Sequence, residues 1–245
     1  MNQLTAKTPL RAAAETKDKI LDASEVLFGE HGFAATSLRM ITSQAGVNLA
    51  AVNYHFQSKE ALMQAVFTRR IEPINRGRIE MLDRCETAAG DGPLPLEGVI
   101  RAFVEPMIRA QQGAPGTDFR RLLGRMYVEP GENVRRFLRD QLREVVRRFT
   151  AAFRRALPGL PLSELLWRMH FGIGVMVHVL AGAYHLEIVS GGLCDPSDAD
   201  AMISRIVTFL AAGLRAPVSS ISVRDLRQAT GTIQGSTAET QSTQR

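Results

Sequence analysis

Residues 37–56 read SLRMITSQAGVNLAAVNYHF, and the spacing predicts two short helices joined by a tight turn. Thr36 or Ser37 can accept a bond from a first-turn N–H, and Leu38, Ile41 and Ala45 then share one face of the first helix. Gly46 suits the left-handed backbone of a helix C-cap, Val47 fills the angle between the helices, and Asn48 is a strong N-cap for the second. On that second helix Val52 and Phe56, four apart, face inward, which turns Leu49, Ala50, Asn53 and Tyr54 outward. Two aliphatics and an amide are a poor surface for water. They suit base edges in a major groove, where apolar groups meet thymine methyls and Asn bonds adenine through two atoms.

The flanking sequence gives this pair a platform. From Thr16 to His31, Ile20, Ala23, Leu27 and Phe28 keep a helical period that Gly32 stops, and Phe33 is placed to plug the connector. Ser58 is an N-cap for a helix carrying Leu62, Val66 and Phe67 to a kink or break at Pro73. After a loop over Ala89 to Pro95, helical patterns run over 96–112, 119–129, 134–157, 162–189 and 198–214, with a kink or break expected at Pro106. No stretch reads as a strand. The expected fold is all-α with about nine helices: an arm over 1–14, a helix-turn-helix domain over 15–73 with its motif at 37–56, a larger helical domain over 74–216, and a disordered Ser, Thr, Gln and Gly tail over 217–245.

Charge is unevenly spread. The chain holds 30 Lys plus Arg against 25 Asp plus Glu, but residues 1–72 carry 8 basic and 7 acidic side chains while 101–155 carry 13 Arg and 6 acidic ones. Phosphate contacts from the first domain must therefore come from a few placed groups. Cys85 and Cys194 lack metal-ligand spacing and are expected to stay reduced in cytoplasm. The apolar run Phe171 to Leu186 is Gly-rich, contains two histidines and is too short for a span, so no membrane partner is expected. The five histidines form no HExxH or other catalytic constellation, and no enzyme, metal or cofactor is expected.

The run Thr16 to Leu62 resembles the N-terminal domain of TetR family transcriptional regulators, through Thr36/Ser37, Ala45-Gly46-Val47, Tyr54-His55-Phe56 and Lys59. The segments NLAAVNYHF, FRRLLGRM, LLWRMHFGIG and FLAAGLRA are similar to the fatty-acid-responsive PsrA-type subgroup. Asn53 stands where the family usually has a Tyr, and Ala50 where it usually has a Gly. The resemblance implies double-stranded operator DNA as partner, with Thr36, Ser37, Arg39 and Asn48 beside it, Asn53 reading a base, Leu49, Ala50 and Ala51 as apolar contacts, and Tyr54, His55 and Lys59 at phosphates. His55 taken alone fits a structural role equally well. Lys59 also sits at a helix N-terminus, where backbone N–H groups favour an anion.

The resemblance further implies a cytoplasmic homodimer through the helices at 162–189 and 198–214, where Gly172, Gly174, Ala181, Gly182 and Ala183 permit close approach. It implies a small hydrophobic effector, a fatty acid or acyl-CoA, whose pocket would draw on Phe103, Met107, Met126, Tyr127, Trp167, His170 and Met176, with Arg120, Arg121 and Arg125 at its anionic end. A regulator of another hydrophobic ligand, or a lipid-binding helical protein with no DNA role, are the other readings. The second leaves the 37–56 pattern without a purpose.

Overall fold

The computed structural model describes residues 9–112, 119–124, 132–181 and 183–218. Among these the chain is helices and short connectors with no strand. The helices are α1 (Pro9–Ala35), α2 (Leu38–Ala45), α3 (Leu49–Phe56), α4 (Lys59–Ala89), α5 (Leu96–Arg109), α6 (119–124), α7 (Glu132–Ala156), α8 (Leu162–Ala181), α9 (Ala183–Ser190) and α10 (Ala199–Arg215).

Several boundaries differ from expectation. Helix α1 begins at Pro9, so residues 9–14 of the expected arm are helical. Its helical backbone does break at Gly32, at φ 80° and ψ 169°, a conformation that costs glycine little. The helix expected over 162–189 is described as α8 and α9 on either side of residue 182, which, like the expected tail from residue 219, lies outside the described residues. Neither Pro73 nor Pro106 ends its helix. α4 therefore runs for 31 residues straight through the expected domain boundary, and a single compact unit extends to Leu214.

The long α4 is the axis of that unit and packs against α1, α5 and α7. A Cβ on Gly77 would lie 3.4 Å from Pro106 Cβ, so glycine there lets α4 and α5 lie close. One apolar core follows the axis, from Phe28, Ile41, Val52 and Leu62 through Val66 and Phe67 to Val99, Phe149, Leu165 and Ile203. Charged side chains brace its ends. Glu25, with its side chain only 3% exposed, receives Arg69 Nη2 at 2.8 Å and Arg70 Nε at 2.9 and 3.0 Å, while Arg69 Nη1 reaches Asp22 at 2.8 Å. Arg155 closes the far end, donating from Nε to Gly92 O at 3.0 Å and from Nη2 to the carbonyls of Gly90 and Gly92. Burial pushes the nearby Cys85 thiol upward, Glu86 adds to that and Arg155 opposes it.

Candidate nucleic-acid interface and effector cavity

The motif is assembled from local hydrogen bonds. Ser37 Oγ accepts from Met40 N at 3.2 Å and caps α2. Gly46 closes the helix in the left-handed region, at φ 64° and ψ 36°, and Val47 N donates to Thr42 O at 3.0 Å. Asn48 Oδ1 then accepts from Ala51 N at 2.9 Å and opens α3. The cap takes one lone pair of Asn48 Oδ1.

Val52 is 1% and Phe56 6% exposed, with Ile41 fully buried beneath the pair of helices. On the other side Leu49 is 45% and Tyr54 80% exposed, and Ala50 and Asn53 are exposed beside them. Ala51 is half-buried. Arg39 is exposed on α2, and Ser43, one turn beyond it, is exposed as well. Gln44 is a further exposed polar group. Sequence reading passed over Ser43 and Gln44 because neither side chain is conspicuous alone, and the spacing from Arg39 to Ser43 was the available signal. His55 is half-buried, its ring 5.0 Å from that of Tyr54 and 6.0 Å from that of Phe56.

Two expected DNA contacts have a different place. Thr36 is 1% exposed, and its Oγ1 donates toward Leu27 O at 3.1 Å and Gly32 O at 2.8 Å. Its hydroxyl thus ties the α1 break to α2 and does not face a duplex. Lys59 Nζ donates to Phe33 O and to Thr36 O, both at 2.9 Å, and lies 4.3 Å from the Phe33 ring centroid. Its ammonium takes up carbonyls left by the α1–α2 connector, so it positions the reading helices from behind. Replacing Lys59 with Met should lower stability by about 1–3 kcal/mol in urea denaturation and leave the salt slope of DNA binding unchanged. A slope reduced by about one unit would restore the phosphate contact.

A strained turn fixes the end of α3. Gln57 has φ 63° and ψ −38°, and Ser58 N donates to Phe56 O at 2.7 Å, a γ-turn of the rarer hand. Only glycine takes a positive φ without a side-chain penalty. Gln57→Gly should therefore raise stability by about 0.5–1 kcal/mol, read as a higher midpoint in thermal unfolding.

The sequence matches known families in both regions. Residues 20–66 match the family described as bacterial regulatory proteins, tetR family, and residues 101–213 match the tetracyclin repressor-like C-terminal domain. The chain belongs to the TetR family. A probable HTH-type transcriptional regulator of Bacillus subtilis, YttP, is 45% identical over 49 residues, which is 20% of this chain and 24% of that protein. The HTH-type transcriptional regulator SrpR of Pseudomonas putida is 35% identical over 69 residues, 28% of this chain and 32% of that one. These alignments span about a third or less of each relative's length. Among solved structures, the fatty acid degradation regulator FadR from Bacillus halodurans superposes with a TM-score of 0.55 at 15% identity, over 87% of this chain and all of that one. SmeT in its triclosan complex does so at 0.54 and 23%, over 84% and 97%. At such identities the superpositions establish the fold alone.

Among the described residues the TetR C-terminal region includes an inner cavity and a larger cleft, both apolar. An inner cavity of about 50 Å3 is walled by α4 to α8 and includes Arg78, Phe103, Met107, Leu123, Val145 and Met176. A larger cleft of about 240 Å3 lies among α5, α7, α8 and α10, lined by Phe103, Phe153, Met169, Phe171, Phe209 and Leu210 among others. Phe103 and Ile173 belong to both walls.

The expected pocket residues divide accordingly. Phe103, Met107 and Met176 line the inner cavity. Trp167 and His170 do not: they are exposed on the outer face of α8, stacked edge to face at 6.2 Å. Arg120 is half-buried and Arg121 exposed on α6, and neither lines either space. Arg125, Met126 and Tyr127 lie outside the described residues. Ile71 and Arg78, which the sequence does not single out, border the inner cavity on the α4 face that Phe67 marks, at spacings of four and seven.

Among the described residues no helix is long and apolar enough to cross a membrane.

Proposed function

We propose that the protein is a dimeric, ligand-responsive repressor that binds operator DNA through α3 and is released from it by a hydrophobic effector, a long-chain fatty acid or acyl-CoA of lipid metabolism. The exposed surface of Leu49, Ala50, Asn53 and Tyr54 over the buried Val52 and Phe56 carries this reading. Asn53 reads adenine, the aliphatics meet thymine methyls, and Arg39 grips a phosphate or a guanine edge. One such unit reads few base pairs, so two are paired about one helical turn of DNA apart. The apolar side chains Leu166, Trp167, Phe171 and Phe209, 48% to 65% exposed on α8 and α10, are what a second copy would cover.

Helix α4 gives the effector a route to the DNA. Lys59 holds the α1–α2 connector at its first turn, and Arg78 borders the inner cavity 19 residues later, a distance of about 28 Å along a rigid helix. An effector that binds better to a conformation with α4 displaced separates the two reading helices from their half-site spacing and lowers operator affinity by that difference.

Footprinting on the DNA upstream of the protein's own gene, with and without oleate, tests this reading; absence of any protected site defeats it. Asn53→Ala should cost about 1–3 kcal/mol on the specific site and leave scrambled DNA binding unchanged, measured by parallel titrations. Equal losses on both would remove Asn53 from base reading.

A further inference from the structure

The larger cleft comes to the surface on the face that α8 and α10 leave uncovered. Phe171 and Phe209 line it and are 60% and 65% exposed, whereas Ile100 and Phe153 on its inner side are 1% and 5% exposed. The two helices meet at Gly172, where a Cβ would lie 3.5 Å from Leu210 Cδ2, and at Arg168, whose Nη1 donates to Leu214 O at 2.9 Å. Among the described residues of the lining Arg168 is the one charged side chain, and its Nη2 stands 3.6 Å from Glu164 Oε2. The other lining side chains are apolar. Trp167, its ring 5.8 Å from that of Phe171, extends the same apolar face. A Cβ on Gly174 or Gly213 would meet no other part of the chain within 4 Å, so both helices leave room there for a close neighbour.

We propose that the effector site is completed by a second copy of the chain: the cleft of one copy takes part of an unbranched acyl chain, and the other copy covers what emerges between Phe171 and Phe209. This rests on the dimeric, ligand-responsive reading above and deepens it. TetR-family regulators are dimeric, and the face around this mouth is the one whose exposed rings a second copy would cover. Volume decides that one copy is not enough. At about 30 Å3 for each water-sized group, the 240 Å3 of the cleft holds about eight such groups. A longer chain leaves the cleft at the two rings and lies on the apolar face, where in a single copy it meets water and in a dimer it is enclosed. The effector then lies between the copies and sets the angle at which they meet, and with it the spacing of the two α3 helices. By linkage, a ligand that prefers the dimer tightens the dimer by the same factor.

The test titrates octanoate and dodecanoate, both below their micelle concentrations, into the full-length protein and into a variant carrying Leu166→Asp and Trp167→Asp. Those two side chains are 48% and 60% exposed and do not line the cleft. Calorimetry reads affinity and sedimentation velocity reads the oligomeric state. The unaltered dimer should bind dodecanoate about a hundredfold more tightly than octanoate, roughly threefold for each added methylene. The variant should be a monomer that keeps octanoate affinity within about threefold and gains less than about threefold from the four added carbons. On the unaltered protein alone, dodecanoate should lower the dimer dissociation constant and octanoate should not, so the linkage is tested even if the variant does not fold. A monomer that gains the full hundredfold, or a dimer that binds the two acids equally, overturns the shared site and leaves a hydrophobic effector held within one copy. A variant that stays dimeric leaves the mouth of the cleft open to water and overturns it as well. If neither acid binds the unaltered protein, the hydrophobic-effector reading falls together with the shared site.

Discussion

Replacing both Phe171 and Phe209 with Asp is expected to leave a monomer at micromolar concentration and to weaken operator binding more than a hundredfold. These rings are 60% and 65% exposed in the single chain, and with Trp167, 5.8 Å from Phe171, they form an apolar surface that water does not favour. Each large side chain fully covered by a partner contributes about 1.5–3 kcal/mol, and two carboxylates placed there would face their own copies across a two-fold axis. Loss of the second reading head then removes half of the base contacts. Both positions lie on the rim of the larger cleft, away from α3, so the scrambled-DNA affinity of each unit should persist. Sedimentation velocity and operator titration check both parts. A variant that stays dimeric would place the interface elsewhere.

The buried cluster at Glu25 should respond unequally to the removal of its two sides. Glu25→Ala frees Arg69 and Arg70, whose side chains are 27% and 33% exposed and can turn toward water, so the cost should be about 2–3 kcal/mol. Replacing Arg69 and Arg70 together with Met strands a carboxylate that is 3% exposed, and about 3–5 kcal/mol is expected. Urea denaturation of the two variants gives the comparison, and a larger loss from Glu25→Ala would show that the arginines are not the solvated partners. Since this cluster joins α1 to α4, the double arginine variant should also loosen the reading helices, seen as lower affinity for operator and scrambled DNA alike.

The motif was legible because everything that builds it is close in sequence. Ser37, Asn48 and Ser58 cap their helices through bonds three residues long, Gly46 turns the chain within one residue, and Val52 and Phe56 are one helical turn apart. Periodicity also located the helices of the larger domain, although it broke α4 at Pro73, where packing on α5 and α7 keeps the helix continuous. Thr36 and Lys59 take partners that the residues beside them do not announce: carbonyls four and nine residues back for the Thr36 hydroxyl, and 23 and 26 back for the Lys59 ammonium. A lysine beside a helix start reads as a phosphate ligand until the carbonyls it serves are brought next to it.

The amino-acid order alone determined an all-helical TetR chain with a reading helix turned outward, since caps, turns and apolar periods are interactions between near neighbours. That Arg78 lines the inner cavity, and that Trp167 belongs to the outer face, was decided by tertiary structure. Five helices from α4 to α8 must pack before that cavity exists, and a face of α8 is inner or outer only by what lies against it.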